Sequence, residues 1–107
     1  MTDDIPIGDP IACRDLLFTH SDGKTEAVSV LIGRPVCTDP EQSEWRCPYA
    51  IKGPSLDRRH RAIGGDSMQA LILCTQSISA ELDLLARDRN GKFSYLGESG
   101  LHFPEQR

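Results

Sequence analysis

The sequence is poor in the features by which small proteins announce their chemistry. Aromatic residues make up 6% of it, with a single Trp. No two of its four cysteines stand in a C-x-x-C spacing, which removes the commonest zinc and redox pattern. Neither G-x-x-x-x-G-K-[ST] nor G-x-G-x-x-G occurs, so no glycine loop is available to cradle a phosphate. No stretch approaches the roughly 18 consecutive apolar residues of a membrane span. Positive charge is in deficit, with 12 Lys+Arg against 16 Asp+Glu and a net charge of -4. That balance disfavours generic nucleic-acid binding, which draws most of its energy from a cationic surface. The opening MTDDIPIGDPIA carries acids where a secretory leader carries bases, and no long apolar run follows. Together these absences point to a cytoplasmic chain whose thiols stay reduced, with no cofactor and no metal expected.

What is present suits one folded domain. A chain of 107 residues closes a single hydrophobic core but not two, and 38% hydrophobic with 26% charged residues is ordinary for a soluble fold. Residues 1–10, with Pro6, Gly8, Pro10 and three aspartates, read as a flexible lead-in, and residues 11–107 as the domain.

IACRDLLF is apolar enough for a strand. Asp22-Gly23 then marks a hairpin, because both residues tolerate the positive φ of a tight turn. TEAVSVLIG is the clearest strand, with Val28, Val30 and Ile32 on one face and Ala27, Ser29 and Leu31 on the other. Pro35 and Pro40 make residues 33–44 a loop. In WRCPYAIKGP, alternation places Trp45, Cys47, Tyr49 and Ile51 together, and Pro48, lacking a donor, implies an edge position or an interrupted ladder. Ala62 and Ile63 suggest a short fourth strand before Gly64-Gly65.

GGDSMQAL is where the sheet should give way to a helix. Gly-Asp-Ser before an apolar residue is also how carrier proteins present a serine for phosphopantetheine. A carrier needs a helical bundle, and the strand signals and prolines upstream of Ser67 do not supply one. Asp66 and Gln69 make a capping box, which explains the motif without a cofactor. The expected helix runs from residue 66 to about 89, with Met68, Leu71, Ile72, Thr75, Ile78, Leu82 and Leu85 as its apolar stripe, widened by Leu73, Cys74 and Leu84. Arg87, Arg89 and Asn90-Gly91 supply the stop. A short strand at residues 93–96 and a tail pinned by Leu101 and Phe103 complete the expectation. The fold class is α+β: an antiparallel sheet of about four strands, with one long C-terminal helix packed on one face.

No catalytic residue stands out. Cys47 is expected among apolar neighbours, where burial raises a thiol's pKa and makes it inert. His20, His60 and His102 match no zinc spacing. Glu81 and Asp83, two apart on a helix, point in different directions. The one concentrated charge feature is Arg58, Arg59, His60 and Arg61, candidates for contact with an acidic partner or phosphate, or else a solvated hairpin end or sheet edge where charge discourages edge-to-edge association.

The succession W-x-C-x-Y-x-I at residues 45–51, G-x-D-S-x-Q-A-L at 64–71 and G-x-x-F-P at 100–104 resembles a family of small uncharacterised bacterial proteins, a domain of unknown function. The resemblance implies a fold and a size and transfers no catalytic residue. By fold-level analogy, small acidic domains of this class bind protein partners. The first expectation is therefore non-catalytic protein binding, with an immunity protein neutralising a basic toxin as its most concrete form, since the net negative charge lies in the first half of the chain. The alternatives are a ligand-binding or enzymatic domain with a pocket beside residues 33–44, and a homodimer that buries Leu73 and Leu84.

Overall fold

The computed structural model describes residues 7–100 and Phe103. The chain opens with a hairpin of β1 (Ala12–Thr19) and β2 (Thr25–Ile32), paired antiparallel from Ala12↔Ile32 to Thr19↔Thr25. The Asp22-Gly23 turn forms as its chemistry dictates: Gly23 takes φ 89°, and the Asp22 carboxylate accepts from the Lys24 amide at 2.9 Å. Leu16 and Phe18 face inward with Val28, Val30 and Ile32, whereas Leu17 is exposed.

Residues 33–44 are not simply a loop. After β2, the chain breaks at Gly33, Arg34 and Pro35 and resumes as β3 (Val36–Asp39), which pairs with the start of β4 (Glu44–Gly53). Strand β4 is the hub of the sheet. One of its edges takes β2 at Tyr49 to Lys52 and β3 at Glu44 to Arg46; the other takes β5 (Leu56–Gly64) along its whole length.

Pro48 explains why β2 and β3 are separate. Its carbonyl accepts from the Gly33 amide at 2.9 Å, so its missing N–H faces the same edge, at the point where β2 has ended and β3 has not begun. The Gly33 carbonyl, which a residue with an N–H at position 48 would have satisfied, instead accepts from the Cys47 thiol at 3.6 Å. Of the two expectations for Pro48, the interrupted ladder holds and the edge position does not.

Helix α1 (Ser67–Asp88) starts where the capping box places it. The Asp66 carboxylate accepts from the Gln69 amide at 2.7 Å, and the Gln69 side chain accepts from the Gly65 amide. Its buried face is rotated from the expected stripe. Ala70, Cys74, Ile78, Leu82 and Leu85 face the sheet, while Met68 is 69% and Ile72 51% exposed. The cause is steric: a Cβ on Gly64 would lie 2.5 Å from the Ala70 nitrogen, so the first turn rests directly on β5 and only small side chains fit beneath it. Full burial of Ile78 and Leu82 against Val28, Val30 and Ile51 stabilises this seam by roughly 1.5–3 kcal/mol per large side chain, more than the ~1 kcal/mol of a cap.

Beyond the helix the chain rejoins the sheet with two more strands, which together with β3 bring the count to seven where about four were expected. Asn90 takes the left-handed φ of 51°, the role expected of its glycine neighbour. Gly91 is needed for a different reason: a Cβ there would collide with the Phe18 ring. Strand β6 (Lys92–Tyr95) then pairs with β1, and β7 (Glu98–Ser99) with β6 through a turn in which Leu96 and Gly97 both have positive φ. The spatial order is β5, β4, β2 with β3 in line, β1, β6, β7. Phe103 packs on this end, with the Arg14 guanidinium 4.9 Å from its ring centre and 4.6 Å from that of Tyr95. Leu101, His102 and residues 1–6 lie outside the described residues.

Substituting Gly64→Ala should force the helix off β5 and cost about 1–3 kcal/mol, with a comparable loss for Gly91→Ala. Urea denaturation measures both; midpoints equal to wild type would show that neither contact is as tight as described.

Candidate binding groove

The groove arises because β5 and α1 diverge after their close start. On β5, residues of even number face the helix. Leu56 and Ala62 are buried, and between them Arg58 and His60 project toward the last turns of α1. The space enclosed is about 460 Å³, lined by Tyr49, Arg58, His60, Ser77, Glu81 and Leu84 among others.

Tyr49 forms the floor. Its ring is 4% exposed and stacks with His60, its cross-strand neighbour, at 6.2 Å between centres and 27° between planes. Its hydroxyl donates to Glu81 Oε2 at 2.8 Å, and Arg58 Nη1 lies 3.6 Å from Glu81 Oε1. Burial first, then the Glu81 carboxylate, pushes the Tyr49 hydroxyl well above the usual tyrosine range. The phenol is therefore a hydrogen-bond donor, and it holds Glu81 facing the groove. Glu81 and Asp83 part as expected, Asp83 being exposed.

The structure divides the three candidate arginines. Arg58 shares the groove with Glu81. Arg59 and Arg61 extend to the opposite face of β5, although Arg61 also reaches the groove rim. There their cross-strand neighbours are Ala50 and Pro48 of β4, and Arg59 Nε lies 3.4 Å from Asp57 Oδ1 in an exposed pair.

A second polar cluster ties both hairpins to the helix end. Glu26 accepts from His20 Nε2 at 2.7 Å and from Ser55 Oγ at 2.8 Å, and Arg89 Nη1 donates to Ser55 Oγ at 3.1 Å. Serine and histidine both bond the carboxylate, so His20 is not placed to take the Ser55 proton, and the order differs from a nucleophile–base–acid relay. The hydrogen bond from His20, then that from Ser55, holds the Glu26 carboxyl below its usual range. All four cysteines are free; Cys47 and Cys74 are both fully buried, and donation to Cys47, with burial adding, holds the Cys74 thiol well above the usual value. Among the described residues, no three His, Cys, Asp or Glu side chains are grouped to hold a metal, and no helix is long and apolar enough to cross a membrane.

The arrangement of strands and helix, with the Trp45–Ile51 strand leading through β5 into the capped helix, carries the motif order noted in the sequence. A family model described as "Domain of unknown function (DUF6968)" matches residues 12–105. The chain belongs to this family. No curated protein and no solved structure matches the chain. As a DUF6968 domain it inherits no assigned site, so the groove rests on its own chemistry.

Sequence reasoning singled out the arginine run, weighed Glu81 only as half of a carboxylate pair, and gave no role to the Tyr49 hydroxyl, Glu26 or Ser55. A signal existed for Tyr49, since a tyrosine on an inward strand face needs a partner for its hydroxyl. Which helix carboxylate would supply it depended on the helix rotation.

Two pH effects follow. The Tyr49 pKa is raised on folding, so its contribution is present below the ordinary tyrosine value and is lost as pH rises above about 10. Tyr49→Phe should lower stability by about 1–2 kcal/mol at neutral pH and flatten the alkaline loss in urea titrations; an unchanged alkaline profile would contradict the assignment. The Glu26 pKa is depressed, so its contribution is present above the ordinary carboxylate value and is lost as pH falls through the folded value. The stability gap between wild type and Glu26→Gln should accordingly narrow as pH falls below the ordinary carboxylate value of about 4.3. A gap that does not change with pH through the acid range would argue against the His20–Glu26–Ser55 cluster.

Proposed function

We propose that this domain is a non-catalytic protein-binding module and that its binding surface is the groove between β5 and α1. The observation that carries the reading is the combination of a sheet-edge strand and a groove lined by fixed polar groups. Among the described residues β4 is the sole strand partner of β5, and Arg58, His60, Tyr49 and Glu81 line the cavity beside it. A protonated phenol bound to a carboxylate, itself beside an arginine, favours recognition over bond-making. Four free thiols, two of them buried together, support a cytoplasmic setting.

Toxin neutralisation is the narrowest version of this reading. It requires a change from the complementarity suggested by net charge, because the run at residues 58–61 is basic and suits an acidic region of the partner. Two features weigh against a second copy of the chain. Leu73, which a homodimer was expected to bury together with Leu84, is already partly buried against the core of its own chain, and the exposed Met68 and Ile72 lie about 160° and 120° around the helix from Leu84, so they do not extend its apolar surface. Pairing of β5 with itself about His60 would set Arg59 against Arg61. The expected pocket beside residues 33–44 is less well supported, since β3 commits that segment to the sheet.

Placing a photocrosslinking amino acid at position 84 in the native cell should yield one discrete adduct with another protein. The adduct should disappear with Arg58→Glu, and a probe at Leu17, exposed on the other face of the sheet, should not yield it. Adducts from position 17 alone, or only a dimer mass from position 84, would overturn the reading.

A further inference from the structure

The register of β5 specifies how a partner would be held. Pro48 directs its carbonyl to Gly33, away from β5, so Pro48 and Arg61 face each other without exchanging backbone hydrogen bonds. The N–H and C=O of Arg61 consequently point away from β4. The period of two gives Asp57, Arg59 and Ile63 the same direction, toward the outer edge of β5. The side chains of these four residues lie on the face opposite the helix, while the residues between them turn toward α1.

From this geometry we infer that the partner supplies an extended segment that adds to β5 as a further strand, with acidic residues at alternate positions and an apolar residue between them. The inference rests on the protein-binding reading above and identifies the chemistry of the partner. A residue hydrogen-bonded opposite Arg59 places its side chain on the outer face, and so does the residue two further along, opposite Arg61. Carboxylates suit both positions: the cross-strand neighbours of these arginines on β4 are the uncharged Ala50 and Pro48, the exposed Asp57 carboxylate 3.4 Å from Arg59 Nε shows that this face accepts one, and of the further cations along it Lys52 stands opposite Asp57 and Arg46 is bonded to Glu44. The residue between them faces the helix side. There Arg58 already has Glu81, and Leu84, 55% exposed and backed by Ala80 and Ser77, offers an apolar contact with room for a side chain. The same arginines that oppose pairing of β5 with a second copy thereby select a strand of opposite charge.

Three decapeptides test this with the full-length protein: alternating Glu–Val, alternating Lys–Val, and a blocked Glu/Val peptide of the same composition as the first. The alternating acidic peptide should bind saturably and slow hydrogen exchange at the amides of Arg59, Arg61 and Ile63. The blocked peptide should bind about tenfold more weakly or worse. The double variant Arg59→Glu, Arg61→Glu should lose the acidic peptide and gain the Lys–Val one, which also shows that the variant is folded. Equal binding of alternating and blocked peptides would reduce the effect to unspecific charge attraction and overturn strand addition. Exchange protection confined to the region of Glu81 and Leu84 would overturn it as well, while leaving the groove as the binding surface. No saturable binding by any peptide would overturn the acidic-strand inference; the crosslink from position 84 decides the groove separately.

Discussion

The close approach of Gly64 to the first turn of α1 is the constraint from which the rest of the architecture follows. With no side chain at Gly64, the Ala70 backbone rests on the end of β5, and the helix is set in one rotation. That rotation puts the small residues Ala70 and Cys74 against the sheet and sends Met68 and Ile72 to solvent. It also carries Ile78, Leu82 and Leu85 into the centre of the core and, between them, swings Glu81 over Tyr49. A different rotation would bury Met68 or Ile72 and leave the Tyr49 hydroxyl without its carboxylate. A backbone contact at one end of the helix thus sets a polar site about three turns away.

Strand β4 provides the second level of organisation. It is paired on both edges, yet it contains a proline, a combination that sheets tolerate only where a ladder is already broken. Here the break between β2 and β3 coincides with the missing donor, and the Cys47 thiol occupies the remaining acceptor. The same alternation makes β5 two-sided. Its even residues work with Tyr49 and the helix, and its odd residues direct backbone groups and arginines outward. The groove and the outer strand edge are two aspects of one register.

Much of this was visible in local chemistry. The Asp22-Gly23 turn, the alternation in β2 and β4, and the capping box of Asp66 and Gln69 depend on neighbours a few residues away, and they appear where the sequence places them. The arginine run was also evident, since charge clustering needs no three-dimensional knowledge. Less accessible were β3 and the full length of β5. Val36–Asp39 is flanked by prolines, and Leu56–Gly64 has a charged centre, so neither shows strand periodicity; both are strands because β4 offers edges to pair with. Strands β6 and β7 extend the sheet because Gly91 lets the chain pass the Phe18 ring and reach β1.

The helix shows most clearly where the division falls. Its start, its approximate end and its amphipathic character were set by sequence, through capping, glycine and the recurrence of apolar residues. Its facing was not, because seven or more apolar residues cover a wide arc, and hydrophobicity alone cannot choose among rotations within that arc. Steric contact at Gly64 made the choice, and with it the pairing of Tyr49 with Glu81 and the position of the groove. Composition and local pattern established an α+β domain with a basic run ahead of the helix. Only pairing with β4 made that run a strand, and only the packing of helix on sheet made it one wall of a site, because the Tyr49–Glu81 bond that fixes the site joins residues more than thirty positions apart.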